Sequence, residues 1–172
     1  MWTKHRGKLM PVLVLLQIVF LVGIAGSYYA AERFGQPVRI RTAPVDPRDI
    51  VYGDYVTLSY EISSLNRTLW KSPGEPPRSG ETVYVVLAPQ SNIYTAGAIY
   101  RNKPQAEANQ ITLKARVTYM TEDIINVRYG LERYYVQQNE GKALEEKAAD
   151  MLAVVKVAPW GTAVLSGLEE ER

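Results

Sequence analysis

The chain has 172 residues with a formal net charge of +2, no cysteine and one histidine, His5, close to the N-terminus. This length is enough for one domain with a hydrophobic core. The missing cysteines exclude disulfides, thiolate nucleophiles and cysteine-bound zinc, and the missing histidines exclude a serine–histidine triad or a His-rich metal site in the domain.

The positive charge is concentrated before the domain begins. Four of the 20 basic residues and one of the 18 acidic residues precede Gln36, which leaves 16 basic and 17 acidic residues after it. Nucleic-acid binding requires a basic face, which a nearly neutral domain does not supply. We therefore expect no nucleic-acid partner.

The first element in the chain is an uncharged, mostly apolar stretch from Leu9 to Ala31. A membrane-spanning helix needs about 20 such residues. A basic segment, residues 1–8, precedes the stretch, and Tyr28 and Tyr29 lie where an interfacial aromatic belt is expected. The pattern predicts a single-pass anchor in the cell membrane, with the N-terminus inside and the domain outside.

A cleaved signal peptide is the alternative, with Ala25, Gly26 and Ser27 as the small residues of its cleavage site. The apolar region of a signal peptide usually runs over about 7–15 residues, and this stretch is longer, which favours the uncleaved anchor. The predicted organisation is a basic segment at 1–8, an anchor at 9–31, a linker at 32–37 and a β-rich extracytoplasmic domain at 38–172.

Beyond the anchor, apolar and polar residues mainly alternate, which is typical of strands. The residues between positions 64 and 80 are rich in Ser, Pro and Gly and predict a long functional or mobile loop. About eight strands and one short amphipathic helix predict a mainly β domain, either a compact sandwich or barrel-like. The predicted strands cover 38–41, about 54–63, 81–88, 93–100, 110–120, 125–136, 152–157 and 162–168, and the predicted helix covers 140–151.

The second predicted strand carries the most informative pattern. Its even-numbered positions from Val56 to Ile62 are apolar, with Leu58 and Tyr60 between them, and Asp54 shares their parity at the entrance of the strand. A carboxylate that points at a core is unfavourable unless it is paired or hydrogen-bonded. We therefore expect Asp54 to belong to a fixed polar cluster.

The loop before this strand supplies candidate partners. In the structural interpretation Asp46 caps the loop, Gly53 allows an unusual φ and Arg48 pairs with Asp54. In the alternative, Asp46, Asp49 and Asp54 bind a hard cation through their oxygens. Such a cation takes about six oxygen ligands, and only three carboxylates are evident, so we expect no metal and no cofactor.

A second polar and aromatic segment runs from Tyr129 to Val136. Gly130 is a possible bulge that would shift its alternation. The structural interpretation is a strand with aromatic cross-strand pairs and an ion pair. In the alternative, Glu132 lies beside Asp54 as an acid–base pair for glycoside or peptide chemistry. Uninterrupted alternation would group Arg128, Glu132 and Tyr134 on one side, and Tyr129, Arg133 and Tyr135 on the other.

The chain contains 12 tyrosines and two phenylalanines. Tyrosine combines apolar area with a hydroxyl group, so it suits sheet faces and contact surfaces. Together with Trp70 in the long loop, the tyrosines favour a binding surface.

These segments resemble the GDYXXLXY family, and the resemblance covers nearly the whole chain. Two flanking segments, 46–49 and 129–136, also match what members show, although Gln137 and Gln138 stand where a Pro is frequent. The resemblance implies a membrane-anchored protein without an assigned reaction. Because members are often encoded beside multi-span membrane proteins, it also implies such a partner. The fixed motif positions are filled by Gly53, Asp54, Tyr55, Leu58 and Tyr60.

A weaker resemblance links the segment from Asp46 to Leu58 to the region that follows the nucleophile in signal-peptidase-like serine–lysine enzymes. Pro44 stands where their serine would be, so Lys114 or Lys156 would have no serine to activate. This resemblance implies a β fold without that catalysis.

The function expected from the sequence is that of a non-enzymatic accessory or binding domain, held by one helix, that contacts a membrane partner or an envelope ligand. The alternatives are a carboxylate-based hydrolase or metal-binding domain that uses Asp54, Glu132 and Asp46, and an inactive relative of the signal-peptidase-like fold.

The Asp54→Asn substitution is expected to lower stability, because the amide keeps the shape of the side chain and loses its charge. A hydrogen bond to a charged group contributes about 1.5–3 kcal/mol. Thermal unfolding of residues 36–172 measures the effect. An unchanged melting temperature with a lost binding or catalytic activity would make Asp54 a functional group instead.

Overall fold

The computed structural model describes residues 3–44, 55–105, 107, 109–135 and 151–170. Its first element is helix α1 (Thr3–Phe34), which at 1.5 Å per residue is about 48 Å long. The part from Met10 to Phe34 is long and apolar enough to cross a membrane, and its apolar side chains up to Ile24 are exposed. Nothing in the described part of the chain covers this region of the helix.

The described residues after the helix form eleven strands, joined in part by short 3₁₀ turns at Glu61–Ser63 and Arg67–Leu69. The strands are β1 (Gln36–Ala43), β2 (Tyr55–Thr57), β3 (Ser59–Tyr60), β4 (Ser64–Asn66), β5 (Thr82–Gln90), β6 (Ile93–Tyr100), β7 (Ile111–Met120), β8 (Ile124–Arg128), β9 (Arg133–Tyr135), β10 (Met151–Val157) and β11 (Ala163–Glu170).

The strands form three antiparallel groups. One sheet has the order β11-β10-β1-β3, a second has the order β4-β8-β7-β5-β6, and β2 pairs with β9. Strand β3 leads through the first 3₁₀ turn into β4, and β6 contacts β1, so the sheets nearly close on each other. The mainly β fold predicted from the sequence is confirmed. Of the two predicted forms, sandwich or barrel-like, the nearly closed sheet matches the second, with eleven described strands where the pattern predicts about eight.

One hydrophobic core lies inside this arrangement, and both large sheets contribute to it. The even-numbered residues of the motif strand, from Val56 to Ile62, are all buried, whereas Thr57, Ser59 and Glu61 are partly or fully exposed. The predicted alternation across the motif is therefore confirmed.

Strand β1 connects the two ends of the domain. Only Gly35 lies between the end of α1 and Gln36, where the sequence predicts a linker over 32–37. At its other end, Thr42 and Ala43 pair with Tyr60 and Ser59. Because a strand rises about 3.4 Å per residue, the residues of the motif strand lie about 20 Å along β1 from the helix.

Strand β7 differs from its predicted pattern at two positions. Tyr119 is exposed, although alternation predicts that it faces the core, because a register shift separates the pairs Val117–Val127 and Tyr119–Asn126. Thr112 is buried although it was predicted on the polar side. The alternation rule assumes a regular strand with one buried and one exposed face. It therefore predicts neither the register shift at Tyr119 nor the burial of Thr112 on the other face.

Three other predicted elements are divided differently. The predicted strand over 125–136 is two strands in different sheets, and the motif strand is interrupted at Leu58 and ends at Tyr60. The predicted loop after it contains β4 and a bridge between Trp70 and Ile99. These short pieces follow the curvature of a nearly closed sheet, which a linear pattern does not show.

The predicted helix over 140–151 lies almost wholly outside the described residues. Its last residue, Met151, is the first residue of β10, so the helix prediction is wrong there. The Met151 amide donates to the hydroxyl of Thr42 at 3.1 Å, and this hydroxyl donates back to the Met151 carbonyl at 2.7 Å. A buried tertiary contact thus holds Met151 in an extended conformation.

Candidate functional site

The structure brings the two predicted polar segments together. Strand β2 pairs with β9, with Tyr55 opposite Tyr135 and Val56 opposite Tyr134. The Leu58 amide extends this pairing by donating to the Glu132 carbonyl at 2.8 Å. The motif and the segment that begins at Tyr129 therefore form one unit, although 68 residues lie between Tyr60 and Tyr129 in the chain.

Several predicted site residues lie outside the described residues, namely Asp46, Arg48, Gly53 and Asp54, together with Asp49. The pairing of Arg48 with Asp54, the carboxylate cluster in this loop and an acid–base pair of Asp54 with Glu132 therefore stay predictions.

Tyr60 and Tyr129 both use their hydroxyl groups inside the protein. The Tyr60 hydroxyl donates to the Leu131 carbonyl at 2.5 Å, and the Tyr129 hydroxyl donates to the Ile62 carbonyl at 2.7 Å. Burial raises the pKa of both tyrosines well above the usual value, and the negative charge of Glu132 raises it further. Each ring thus fills the core and also ties the motif strand to the second segment.

Glu132 stabilises the turn that joins β8 to β9. Its Oε1 accepts hydrogen bonds from the amides of Tyr129 at 2.6 Å and Gly130 at 3.3 Å. Gly130 has a φ of +80°, which bends the chain at this point. The chain is not a continuous strand from Arg128 to Tyr135, because β8 ends at Arg128, the chain bends at Gly130, and β9 begins at Arg133.

These contacts determine what the described part of the site can do chemically. The hydroxyls of Tyr60 and Tyr129 each donate to a backbone carbonyl, and one oxygen of the Glu132 carboxylate accepts two backbone amides. A nucleophile or general base needs a group that is directed at a substrate. Within the described residues, no three His, Cys, Asp or Glu side chains gather into a possible metal site. The described hydrogen bonds of the Glu132 carboxylate are with the backbone of its own turn.

A second cluster was not predicted from the sequence. The Arg101 guanidinium lies 5.6 Å from the centre of the Trp70 ring, which packs against the core. Nη2 of Arg101 donates to the Glu75 carbonyl at 3.1 Å and lies 3.8 Å from the Glu81 carboxylate. Arg101 is the first residue after β6, and no sequence signal distinguishes it from other surface arginines. The cluster holds the loop after β4 against the sheet.

Replacing Gly130 by alanine is expected to lower the free energy of unfolding by about 1–2 kcal/mol, the usual cost of the left-handed conformation for an L-residue. An added Cβ would meet nothing within 4 Å, so the cost is purely conformational. Urea unfolding measures it. The control is Gly97→Ala, where φ is not positive and the new Cβ makes an ordinary 3.8 Å contact. Equal effects at both glycines would contradict the prediction.

Raising the pH above 10 is expected to destabilise the domain through Tyr60 and Tyr129. An unfolded tyrosine titrates near pH 10, whereas these two stay protonated in the folded state because their pKa values are raised. The unfolded state therefore binds fewer protons, and each tyrosine lowers stability by up to about 1.4 kcal/mol per pH unit.

Urea unfolding at stepwise alkaline pH measures this slope. The Tyr60→Phe variant should reduce it, and the control Tyr119→Phe, at an exposed position, should not. A slope that is unchanged when both Tyr60 and Tyr129 are phenylalanine would contradict the prediction.

Comparison with known proteins identifies the family. No curated protein and no solved structure matches the chain. The family model described as "GDYXXLXY protein" matches residues 17–168, which is most of the chain and includes the second half of α1. The paired motif strand and the segment that it contacts both lie inside this match. The chain belongs to the GDYXXLXY protein family.

Proposed function

We propose that this chain is a single-pass membrane protein whose β-rich domain is a non-enzymatic accessory domain. The observation that carries the proposal is the exposed apolar helix, joined to the domain through Gly35 alone. An all-apolar helix surface is unfavourable in water and favourable in a bilayer, and a 25-residue span is about 37 Å long, enough for a hydrocarbon core of about 30 Å.

The orientation in this proposal places the N-terminus inside and the domain outside the cell membrane. The basic cluster before the span supports it, although the arginines that follow the span oppose it, and large domains translocate largely regardless of such charges. Protease treatment of intact cells that lack an outer wall tests the orientation. Digestion of the domain in intact cells supports the outside orientation. A domain that is cleaved only after the cells are lysed overturns that orientation.

The function in this proposal is contact with a multi-span membrane partner or an envelope ligand. The hydroxyls of Tyr60 and Tyr129 are occupied by hydrogen bonds to backbone carbonyls. One oxygen of the Glu132 carboxylate accepts a hydrogen bond from a backbone amide. These contacts support a binding role over catalysis. We do not propose a hydrolase or a metal-binding domain, because no observation on the described residues favours either of them.

Purification of the full chain in mild detergent is the decisive experiment. A partner or ligand that co-purifies in stoichiometric amounts supports the proposal, and repeated recovery of the chain alone counts against it. A matched variant in which residues 9–31 are replaced by an unrelated span of equal length locates the contact. Retention of the partner assigns the contact to the β domain, and its loss assigns the contact to the helix.

A further inference from the structure

The turn between β10 and β11 presents an exposed tryptophan. The chain reverses over Ala158 to Gly161, where the Gly161 amide donates to the Ala158 carbonyl at 2.8 Å. Trp160, at the tip of this turn, leaves 52% of its surface exposed. The large apolar area of this ring is therefore available to something outside the domain.

The register of the sheet places this turn at the end of the domain that carries the helix. Val157, the last residue of β10, pairs with Gln36, the first residue of β1. Because the strands are antiparallel, the turn after Val157 extends in the direction from which α1 arrives. The Lys103 ammonium group donates to the Pro159 carbonyl at 3.0 Å, so a basic side chain lies beside Trp160.

The last turns of the helix pack against the same hairpin. Helix α1 contacts both β10 and β11, and Ala31 is fully buried. A Cβ at Gly35 would lie 3.0 Å from the Cβ of Lys156, so the chain passes close to β10 at this point. The turn is thus held beside the end of the helix and is not connected to it by a flexible linker.

Exposed aromatic residues lie in the last turns of α1, beside this hairpin. Tyr28, Tyr29 and Phe34 are largely exposed, and Glu32 and Arg33 are the first charged residues of the helix after Lys8. A span that ends here places these rings at the boundary between hydrocarbon and headgroups, where Trp and Tyr are enriched in membrane proteins. A tryptophan ring suits this boundary because its body is apolar and its N–H group is polar.

We propose that Trp160 inserts into the headgroup region of the bilayer that α1 spans and forms a second membrane contact of the domain. Lys103, next to it, faces the phosphate groups of the same lipids. The two contacts, helix and turn, limit the rotation of the domain about the helix. They hold the motif strand at the end of β1 away from the membrane. This inference rests on the membrane anchoring proposed above.

The test uses the full chain in vesicles of phosphatidylcholine and phosphatidylglycerol. Because the sequence has no cysteine, single cysteines carry an environment-sensitive fluorophore at three positions. Trp160→Cys reports on the turn, Phe20→Cys reports on the middle of the span, and Glu61→Cys is the control at the far end of β1. Lipids with a spin label at the headgroup or deep in the acyl chain quench the fluorophore according to its depth.

The expected result is that headgroup-labelled lipid quenches the fluorophore at position 160 several-fold more than the one at 61, and that acyl-labelled lipid quenches the one at 20. If position 20 is quenched but position 160 behaves like position 61, the inference is overturned while the anchor stands. If position 20 is also unquenched, the anchor itself is overturned, and the inference with it.

The cysteine variant removes the ring under test, so the native tryptophan is measured separately. In a Trp2→Phe background, headgroup-labelled lipid should quench part of the tryptophan fluorescence, and a further Trp160→Phe substitution should abolish that part. Circular dichroism confirms that each variant is folded. Quenching that persists without Trp160 would overturn the inference.

Discussion

Replacing Leu58 by alanine is expected to lower the free energy of unfolding by about 2–5 kcal/mol, the usual range for a buried leucine. Leu58 is 2% exposed and belongs to the hydrophobic core that both large sheets form. Its amide donates to the Glu132 carbonyl at 2.8 Å, so the backbone is not free to move into the space that the side chain leaves. A residual cavity therefore adds to the lost apolar burial.

Urea unfolding of the full chain in detergent measures this effect. It is followed by near-ultraviolet circular dichroism, which does not record the backbone signal of α1. Leu58→Met is the matched control, because a swap that nearly conserves volume usually costs less than about 1.5 kcal/mol. Similar losses for alanine and methionine would show that the site tolerates no change of shape. A negligible loss for alanine would show that Leu58 is not a core residue.

Replacing Glu132 by alanine is expected to lower the free energy of unfolding by about 1.5–3 kcal/mol, the usual contribution of a hydrogen bond to a charged group. The substitution leaves the Tyr129 amide, bonded to Glu132 at 2.6 Å, without its acceptor in a partly buried turn. Glu132→Gln keeps an acceptor oxygen and loses the charge, so its effect should be smaller.

The Glu132→Gln variant has a second, independent readout, which is the pH dependence of its stability. Because the charge of Glu132 raises the pKa of Tyr60 and Tyr129, its removal should also weaken the loss of stability at alkaline pH. Glu75→Ala is the control, because the carboxylate that it removes forms an exposed ion pair with Arg78. An unchanged stability of Glu132→Gln together with a lost activity would identify Glu132 as a catalytic group and support the hydrolase alternative.

The candidate site was only partly predictable from the sequence. The sequence indicates that the motif and the segment that begins at Tyr129 are important, and the structure shows that β2 of the motif pairs with β9 of the segment. The sequence does not indicate that Glu132 accepts hydrogen bonds from its own turn. A sequence pattern does not distinguish a carboxylate that faces a substrate from one that faces the backbone. The hydroxyl contacts of Tyr60 and Tyr129 likewise depend on carbonyls about 70 residues away.

The sequence by itself determined the apolar helix, the mainly β class and the inward face of the motif strand from Val56 to Ile62. These features depend on composition and on the alternation of neighbouring residues, which is local information. Only the tertiary structure decided that Met151 is extended, that Tyr119 is exposed and that Trp160 lies beside the end of the helix. Each of these depends on strand pairing between distant residues, because the register of a sheet determines which side chains meet and where a turn emerges.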